Sequence, residues 1–177
     1  MNGMQWERHV ISDNVNQPGN MLGAYGDLDR DNDIDFALHA SGGASILWFE
    51  NISGYTTWQE HVVANIGGNA LWTTLADRDG DNDLDVIGAR YSPGNIIWYE
   101  NQLPGPAWTA PPIATLLGTA LGAAADMDED GDPDVVTHIN ISNELVWYEN
   151  PSWTAHTITS GINSLILGPV GDIDQDG

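Results

Sequence analysis

The feature that most constrains the fold is a cluster of alternating aspartates that recurs along the 177-residue chain. Three long clusters begin at Asp27, Asp77 and Asp126. A shorter fourth cluster begins at Asp172, so that successive clusters start 50, 49 and 46 residues apart. A recurring interval of this size predicts a repeat architecture, in which each repeat packs against its neighbours. The clustered residues are Asp27, Asp29, Asp31, Asp33 and Asp35; Asp77, Asp79, Asp81, Asp83 and Asp85; Asp126, Asp128, Asp130, Asp132 and Asp134; and Asp172, Asp174 and Asp176.

An aromatic signature keeps the same phase as the aspartates. A Trp-aromatic-Glu-Asn sequence begins 21 residues after the first aspartate of each complete cluster, at Trp48, Trp98 and Trp147. A further tryptophan opens each segment that follows, and insertions between repeats fall in stretches rich in Gly, Pro, Ser and Asn, as they do in loops. We therefore predict one domain over 1–177, with repeats at about 6–57, 58–107, 108–152 and 153–177, the last of them incomplete.

Within a repeat, the hydrophobic pattern is that of short strands. In the second repeat, apolar runs at 71–75 and 85–90 flank the acidic loop, and a third run follows a turn at 96–100. The segment at 108–114 carries prolines and is predicted as a weaker edge strand. Four short antiparallel strands per repeat predict a β-propeller blade. The predicted fold is therefore all-β, with three complete blades of four antiparallel strands and partial ends.

The two ends are predicted to carry strands without a complete blade. Residues 6–11 have the pattern of an outer strand with no inner strands before it, and residues 165–170 that of an inner strand with no partners after it. An open arc of this kind exposes a blade face and a strand edge at each end, which favours pairing with another chain. We therefore expect either self-association or a longer parent chain that completes the propeller.

The acidic loop has the composition of a cation site. When Asp77 is counted as position 1, the second loop carries carboxylates at positions 1, 3, 5 and 9, and the backbone carbonyl at position 7 can join them around one hard cation. Position 6 is Asn32, Asn82 or Gly131, and these residue types tolerate a left-handed turn. Calcium accepts more oxygens, in a more flexible geometry, than magnesium, so we expect Ca²⁺ as the cofactor.

The acidic loop has two other possible explanations, an EF-hand and a solvated loop without an ion. An EF-hand is excluded, because position 12 is Leu38, Gly88 or Thr137 rather than a bidentate glutamate, and because the flanks are strand-like. A solvated acidic loop without an ion is disfavoured by the fixed Asn or Gly at position 6. Three loops reach position 9 and are predicted as full sites, whereas the fourth reaches only position 6 and is predicted to be defective.

The acidic segments GDLDRDNDIDFALHA, ADRDGDNDLDVIGAR and ADMDEDGDPDVVTHI resemble the FG-GAP/VCBS repeats of bacterial surface and secreted proteins. They are also similar to the calcium-binding blades of the integrin alpha-subunit head. The resemblance implies a β-propeller of seven or eight blades, with calcium held on the blade loops. It further implies a role in adhesion, in ligand binding or as an accessory to larger extracellular proteins. Three full repeats are too few to close a ring of seven.

The charge of the chain limits its partners. There are 26 acidic residues against four arginines and no lysine, which gives a formal net charge of −22. Such a surface repels phosphate backbones and anionic lipids, so neither nucleic-acid binding nor membrane insertion is expected. A protein or carbohydrate ligand remains open. Weak calcium sites would stay empty at cytosolic calcium, so a secreted or cell-surface location is expected, although the first residues show no signal-peptide pattern.

A binding module is favoured over an enzyme. Every acidic pair recurs, whereas an active site normally needs one asymmetric constellation, and the known nucleophile and phosphate-loop motifs are absent. The alternative is a propeller domain of, or accessory to, a polysaccharide-degrading enzyme. The recurring His9, His61 and His156 are predicted to be structural blade positions, and His39 and His138 are predicted to lie at exposed strand positions. Trp72 falls outside the repeat phase and is the best candidate for an exposed aromatic ligand contact.

Overall fold

The computed structural model describes thirteen β-strands and no helix, arranged as three antiparallel sheets. Within each sheet the strands are ordered as they occur in the chain, so every sheet is a simple meander. The predicted all-β fold with three complete blades is therefore confirmed. None of the described segments forms a helix that is long and apolar enough to cross a membrane. The described residues are 7–13, 23–40, 45–67, 70–90, 94–103, 108–115, 119–163 and 170–171.

We call the three sheets blades 1, 2 and 3. Blade 1 contains β1 (Ala24–Gly26), β2 (Asp35–Ala40), β3 (Ser45–Asn51) and β4 (Trp58–Asn65). Blade 2 contains β5 (Ala70–Ala76), β6 (Asp85–Arg90), β7 (Asn95–Asn101), β8 (Trp108–Thr109) and β9 (Pro112–Thr115). Blade 3 contains β10 (Thr119–Ala125), β11 (Asp134–Ile139), β12 (Glu144–Glu149) and β13 (Thr154–Ser160). The last strand of each blade comes after the Trp-aromatic-Glu-Asn signature of that blade. The boundaries of the sequence repeats remain a prediction.

The outer edge of blade 2 is one strand broken in two. Both β8 and β9 pair with β7, through Glu100 with Thr109 and Ile97 with Pro112. The break lies at Pro111, because proline has no N–H to donate to the ladder. In blade 1 the corresponding β4 has no proline and runs unbroken for eight residues. The proline-bearing edge strand predicted from the sequence is thus confirmed, with its interruption located.

The core lies between the blades. One buried cluster joins Leu28 and Ile46 of blade 1 to Val86 and Tyr99 of blade 2. A second cluster joins Trp98 and other residues of blade 2 to residues of blade 3. A third buried cluster lies within blade 1 and consists of Leu38, Ala40, Leu47 and Phe49. The stacking of blades buries the apolar side chains of the first two clusters, which favours folding.

Trp72 lies in this inter-blade core, and the expectation that it is an exposed ligand contact was wrong. Its side chain on β5 is only 1% exposed. The ring packs against Gly122 on β10 of the next blade, where a Cβ atom would collide with the indole. In the other complete repeats the residue at this place, five before the first aspartate, is Leu22 or Leu121. The glycine opposite Trp72 leaves the room that an indole needs.

The first residues do not form the predicted outer strand. Residues 7–11 pair with no strand of the described chain. A strand needs a neighbour to satisfy its backbone hydrogen bonds, and here the segment lies over the open side of blade 1 instead. There, Glu7, His9 and Ile11 help to line a pocket of about 400 Å³. The inner strand predicted at 165–170 lies, except for Val170, outside the described residues.

Candidate metal centre

The three complete acidic loops occupy the same place in each blade, between its first two strands. They connect β1 to β2, β5 to β6 and β10 to β11, and we call them loops 1, 2 and 3. Position 1 is the first residue after a strand, and position 9 is the first residue of the next strand. The ends of each loop are therefore fixed by a strand pair. The fourth cluster, Asp172, Asp174 and Asp176, lies outside the described residues.

The backbone turns left-handed twice in every loop. At position 6, φ is 73° at Asn32, 69° at Asn82 and 99° at Gly131, as the residue types indicated. At position 4, φ is also positive, at 66° for Arg30, 74° for Gly80 and 62° for Glu129. Sequence reasoning missed position 4, because arginine and glutamate rarely adopt this conformation and so gave no signal. The two turns fold the loop back on itself, and the carboxylates at positions 1 and 3 come close together in all three loops.

The aspartate at position 1 closes each loop by accepting backbone hydrogen bonds. In loop 2, Asp77 accepts from the N–H groups of Gly80 and Asn82, both at 2.9 Å. Asp27 accepts from Asn32 at 3.0 Å, and Asp126 from Gly131 at 3.0 Å. The position-1 carboxylate is thus held at the centre of the loop by the loop's own backbone.

The aspartate at position 9 ties the loop to the strand that carries the aromatic signature. Asp85 is fully buried and accepts hydrogen bonds from the backbone N–H groups of Arg78 at 2.9 Å and Asn101 at 2.8 Å. The indole Nε1 of Trp98 donates to it as well, at 3.0 Å. The same two backbone bonds hold Asp35 in blade 1 and Asp134 in blade 3. The sequence analysis did not predict that the position-9 aspartate binds the signature asparagine. The constant separation of 16 residues between the two was the available signal.

The signature asparagine also connects neighbouring blades. The side-chain amide of Asn101 donates to the carbonyl of Leu28, at position 2 of loop 1, over 2.8 Å. The amide of Asn150 donates likewise to the carbonyl of Arg78, at position 2 of loop 2, over 3.1 Å. The loops are therefore linked in series, each to the blade that follows.

Each loop gathers three carboxylates around one point. The oxygens that they offer lie within 4.8 Å of one another in all three loops. Loops 1 and 3 use positions 1, 3 and 9, whereas loop 2 uses positions 1, 3 and 5. The side chains at position 7 and the remaining aspartates lie outside these groups. The grouped residues are Asp27, Asp29 and Asp35; Asp77, Asp79 and Asp81; and Asp126, Asp128 and Asp134.

Negative charge accumulates in the loops without full compensation by the protein. Burial raises the pKa of Asp85 to about 6, although the N–H groups of Asn101 and Arg78 favour its ionised form. Burial and the neighbouring Asp81 raise the pKa of Asp83 to about 6. The Oδ1 atom of Asp83 is buried and accepts no hydrogen bond from the described residues. A cation would relieve these costs by pairing with the carboxylates.

Arg30 brings a positive charge from loop 1 to loop 2. Its guanidinium donates to the backbone carbonyls of Asp81 at 2.7 Å and Asn82 at 3.0 Å. It also lies 3.6 Å from the carboxylate of Asp81 and 3.7 Å from that of Asp83. Loop 2 therefore receives partial compensation from its neighbour. At position 4 of loop 2 the corresponding residue is Gly80, which has no side chain to offer loop 3.

The recurring histidines take part in a repeated contact on blades 1 and 3. His61 stacks on Trp48 with 4.4 Å between ring centroids, and its Nε2 lies 2.6 Å from Glu50. His156 stacks on Trp147 and approaches Glu149 in the same way. This repetition agrees with the structural role expected for His61 and His156. His9, for which the same role was expected, lies in no described strand, and its side chain is 44% exposed.

His39 and His138 are not at exposed positions as the sequence analysis expected. Each is only 1% exposed. His39 lies on the same face of β2 as Ala37, which packs against blade 2, so the neighbouring blade covers it. The Nε2 atom of His138 lies 3.2 Å from the carbonyl oxygen of Ile162, which follows β13. Both contacts come from residues distant in the chain, so the sequence around the histidines does not indicate their burial.

Comparison with known proteins gave one match. The family model for the FG-GAP-like repeat matches residues 77–137. This segment begins at position 1 of loop 2 and includes the whole of loop 3, so it contains two of the three acidic groups described above. No curated protein and no solved structure matched the chain. Residues 77–137 are thus similar to the FG-GAP-like repeat, which agrees with the resemblance of the acidic segments to FG-GAP repeats.

Proposed function

We propose that the protein is a calcium-binding β-propeller repeat module that acts in extracellular binding, adhesion or structural assembly. The observation that carries the proposal is that each of three equivalent loops brings three carboxylates within 4.8 Å, with positions 1 and 3 shared by all three loops. An isolated acidic group is common on protein surfaces. A group of three carboxylates in every described loop, with the loops closed by equivalent hydrogen bonds, is best explained by a shared ligand.

The donor set fits calcium. Calcium–oxygen distances are about 2.3–2.6 Å, so oxygens on one ion lie up to about 5 Å apart. The grouped carboxylate oxygens meet this limit. All the donors are oxygens, and the described loops offer neither histidine nor cysteine, which favours a hard cation over zinc or copper. Calcium is preferred to magnesium because the ligand positions differ between loops 1 and 2, and calcium tolerates such variation.

Backbone groups of the chain itself hold the carboxylates in place for a cation. Position 1 is held by backbone N–H groups within the loop, and position 9 by backbone N–H groups at both ends. Bound calcium would supply the positive charge that these carboxylates lack. Each loop would then hold its strand pair rigidly and present the intervening loops as a binding surface.

An extracellular role is supported by the expected affinity and by the repeat family. These loops lack the bidentate glutamate that ends an EF-hand loop, so we expect weak calcium binding. Extracellular calcium-binding modules have dissociation constants on the order of 10⁻⁴–10⁻³ M. Such sites fill in extracellular fluid and stay empty in the cytosol. FG-GAP-like repeats are typical of extracellular proteins, and the matched segment contains two of the acidic loops.

The proposed function is binding, with no catalytic reaction. Glu50 and Glu149 are each engaged by a histidine that also stacks on a tryptophan, in the same way on two blades. A repeated contact of this kind serves packing rather than one reaction. Turnover of a polysaccharide substrate that is abolished by His61→Gln would overturn this part and support the propeller of a carbohydrate-active enzyme.

Calcium titration by calorimetry, together with thermal unfolding in calcium and in EDTA, tests the proposal. We expect calcium to bind and to raise the melting temperature, since it binds the folded state preferentially. The double variant Asp126→Asn/Asp128→Asn should lose one binding site. A matched control is Asp13→Asn/Glu60→Gln, which removes the same charge at exposed positions outside the loops. No heat of binding, with a melting temperature indifferent to EDTA, would refute calcium binding.

A further inference from the structure

Loop 2 differs from the other two described loops in the carboxylates that it gathers. In loops 1 and 3 the third carboxylate comes from position 9, whereas in loop 2 it comes from Asp81 at position 5, and Asp85 at position 9 stays outside the group. All three loops carry aspartate at positions 1, 3, 5, 7 and 9. The difference must therefore arise from residues outside the aspartate pattern.

Asp85 accepts one more hydrogen bond than its counterparts do from the described residues. Its Oδ2 atom accepts from the backbone N–H of Arg78 at 2.9 Å and from the indole Nε1 of Trp98 at 3.0 Å. Among the described residues, the Oδ2 atoms of Asp35 and Asp134 accept only the first of these bonds, from position 2 of their own loops. A carboxylate oxygen has about two lone-pair sites, so the indole occupies a site on Asp85 that stays open in loops 1 and 3.

The equivalent tryptophans of blades 1 and 3 are held by histidines instead. Trp48 stacks on His61 and Trp147 stacks on His156, each with 4.4 Å between ring centroids. Burial raises the pKa of Asp35, and the nearby indole of Trp48 acts in the opposite direction, but its buried Nε1 atom makes no hydrogen bond to a described residue. These two indoles therefore stay with the outer strand of their blade.

Blade 2 has no histidine at the equivalent place, which Pro111 occupies at the break between β8 and β9. Trp98 is fully buried and packs against Trp153 of blade 3, with 5.6 Å between ring centroids and 45° between the ring planes. The indole of Trp98 thus has a different packing partner from its counterparts, and in this packing its Nε1 donates to Asp85.

Asp83 gives independent evidence that a cation belongs beside Asp81. The side chain of Asp83 is 3% exposed, and its Oδ1 atom accepts no hydrogen bond from the described residues. Burial and the adjacent carboxyl group of Asp81 raise the pKa of Asp83 to about 6. The guanidinium of Arg30 lies 3.7 Å from the Oδ2 atom of Asp83. A buried carboxylate oxygen without a donor destabilises the fold, and a cation held by Asp81 would offset that effect.

We propose that Trp98 keeps Asp85 from binding the cation, so that loop 2 holds calcium through Asp77, Asp79 and Asp81 while loops 1 and 3 use position 9. The inference rests on the proposed calcium function and specifies the ligands of one of its sites. Trp98 is a positioning residue, since it acts through Asp85. The side chain of Asp81 is 50% exposed, whereas the position-9 aspartates are buried. Exposed charges are screened more than buried ones, so loop 2 should bind calcium more weakly than loops 1 and 3.

Substitutions at position 5 test the ligand assignment by calorimetric titration of the full chain with calcium. Asp81→Asn should weaken one calcium site by about tenfold, because affinity depends on the number of charged ligands. Asp31→Asn and Asp130→Asn are matched controls at position 5 of loops 1 and 3, and they should leave every site unchanged. All three aspartates accept a hydrogen bond from the N–H of position 7, which the asparagine oxygen can still accept. Equal effects of the three substitutions would overturn the assignment.

A double-mutant cycle tests the role of Trp98. Trp98→Phe keeps an aromatic ring but removes the N–H, which frees a lone pair on Asp85. Asp81→Asn should therefore weaken calcium binding much less in the Trp98→Phe background than in the wild type. Trp147→Phe is the matched control in blade 3, and it should not change the effect of Asp81→Asn. A purely structural role of Trp98 would lower the melting temperature in EDTA without this coupling, and that result would overturn the proposal.

Two further outcomes separate the possible causes. Arg30→Ala, rather than Trp98→Phe, would make Asp81 dispensable if the neighbouring guanidinium selected the ligands, and this would overturn the role of Trp98. A wild-type chain that binds no calcium would refute the proposed function together with this inference. Calcium binding with equal dependence on position 5 in all three loops would refute the inference alone. The position-5 comparison does not depend on the stability of Trp98→Phe.

Discussion

The side-chain amide of Asn101 donates a hydrogen bond of 2.8 Å to the carbonyl of Leu28, which lies 73 residues earlier in the chain. The backbone N–H of the same asparagine donates to Asp85 over 2.8 Å. One residue thus joins position 9 of its own loop to position 2 of the loop before it. Because both bonds are buried, they link the acidic loops of blades 1 and 2 directly, in addition to the apolar core between the blades.

Replacing this asparagine should destabilise the protein. Asn101→Ala leaves the Leu28 carbonyl buried without its partner, a loss of about 1–3 kcal/mol in the free energy of unfolding. Urea unfolding in saturating calcium measures the change. Gln102→Ala is the control, because Gln102 is the exposed next residue and should cost less than about 0.5 kcal/mol. Equal effects of the two substitutions would contradict the inter-blade role.

Removing Arg30 should strengthen calcium binding. The guanidinium lies within 4 Å of two carboxylates of loop 2, so Arg30→Ala leaves that loop more negative. Contacts of this partly exposed kind are worth about 0.2–1 kcal/mol, which corresponds to an increase in affinity of up to about fivefold. Calorimetric titration measures the change, and it should shrink at high salt. Arg8→Ala removes an equal charge at an exposed site, and a similar gain there would show that only net charge matters.

Trp72 should behave as a core residue. Trp72→Ala removes an indole packed against Gly122, and we expect a loss of about 3–5 kcal/mol in the free energy of unfolding. Ile141→Ala, at an exposed position, should change that free energy by less than about 0.5 kcal/mol. A Trp72 variant that keeps wild-type stability but loses a carbohydrate or protein ligand would restore the role of Trp72 as a binding contact.

The buried His39 should make the protein sensitive to acid. Burial lowers the pKa of His39 below its ordinary value of about 6.5, so the unfolded chain binds the proton more readily than the folded one. This contribution to stability is fully present above about pH 6.5 and is lost as the pH falls below it, by up to about 1.4 kcal/mol per pH unit. Unfolding at pH 7.5 and 5.5 in saturating calcium measures the loss.

His39→Gln should reduce this pH dependence, because glutamine cannot take up the proton. His156→Gln is the control, since the ring of His156 is 40% exposed. Should the wild type and His39→Gln lose the same free energy between the two pH values, the acid sensitivity would come from other groups.

The sequence predicted the architecture well because the signals were periodic. The alternation around 85–90 and 96–100 corresponds to β6 and β7 within a residue at either end. The left-handed turns at Asn32 and Asn82 followed from residue type. The errors at Trp72 and His39 arise because a neighbouring blade decides how far each side chain is buried. The error at residues 7–11 arises because the segment pairs with no described strand.

The sequence by itself determined the repeat, the strand pattern, and the presence of an acidic loop with aspartates at fixed positions. These follow from local chemistry, since strand period, turn propensity and charge spacing act over a few residues. Only the tertiary structure showed that Asp85 accepts a buried hydrogen bond from Asn101, that Arg30 contacts loop 2 and that Trp72 packs against Gly122. Asp85 and Asn101 meet because β6 and β7 pair within blade 2, whereas the contacts of Arg30 and Trp72 form only when one blade stacks on the next.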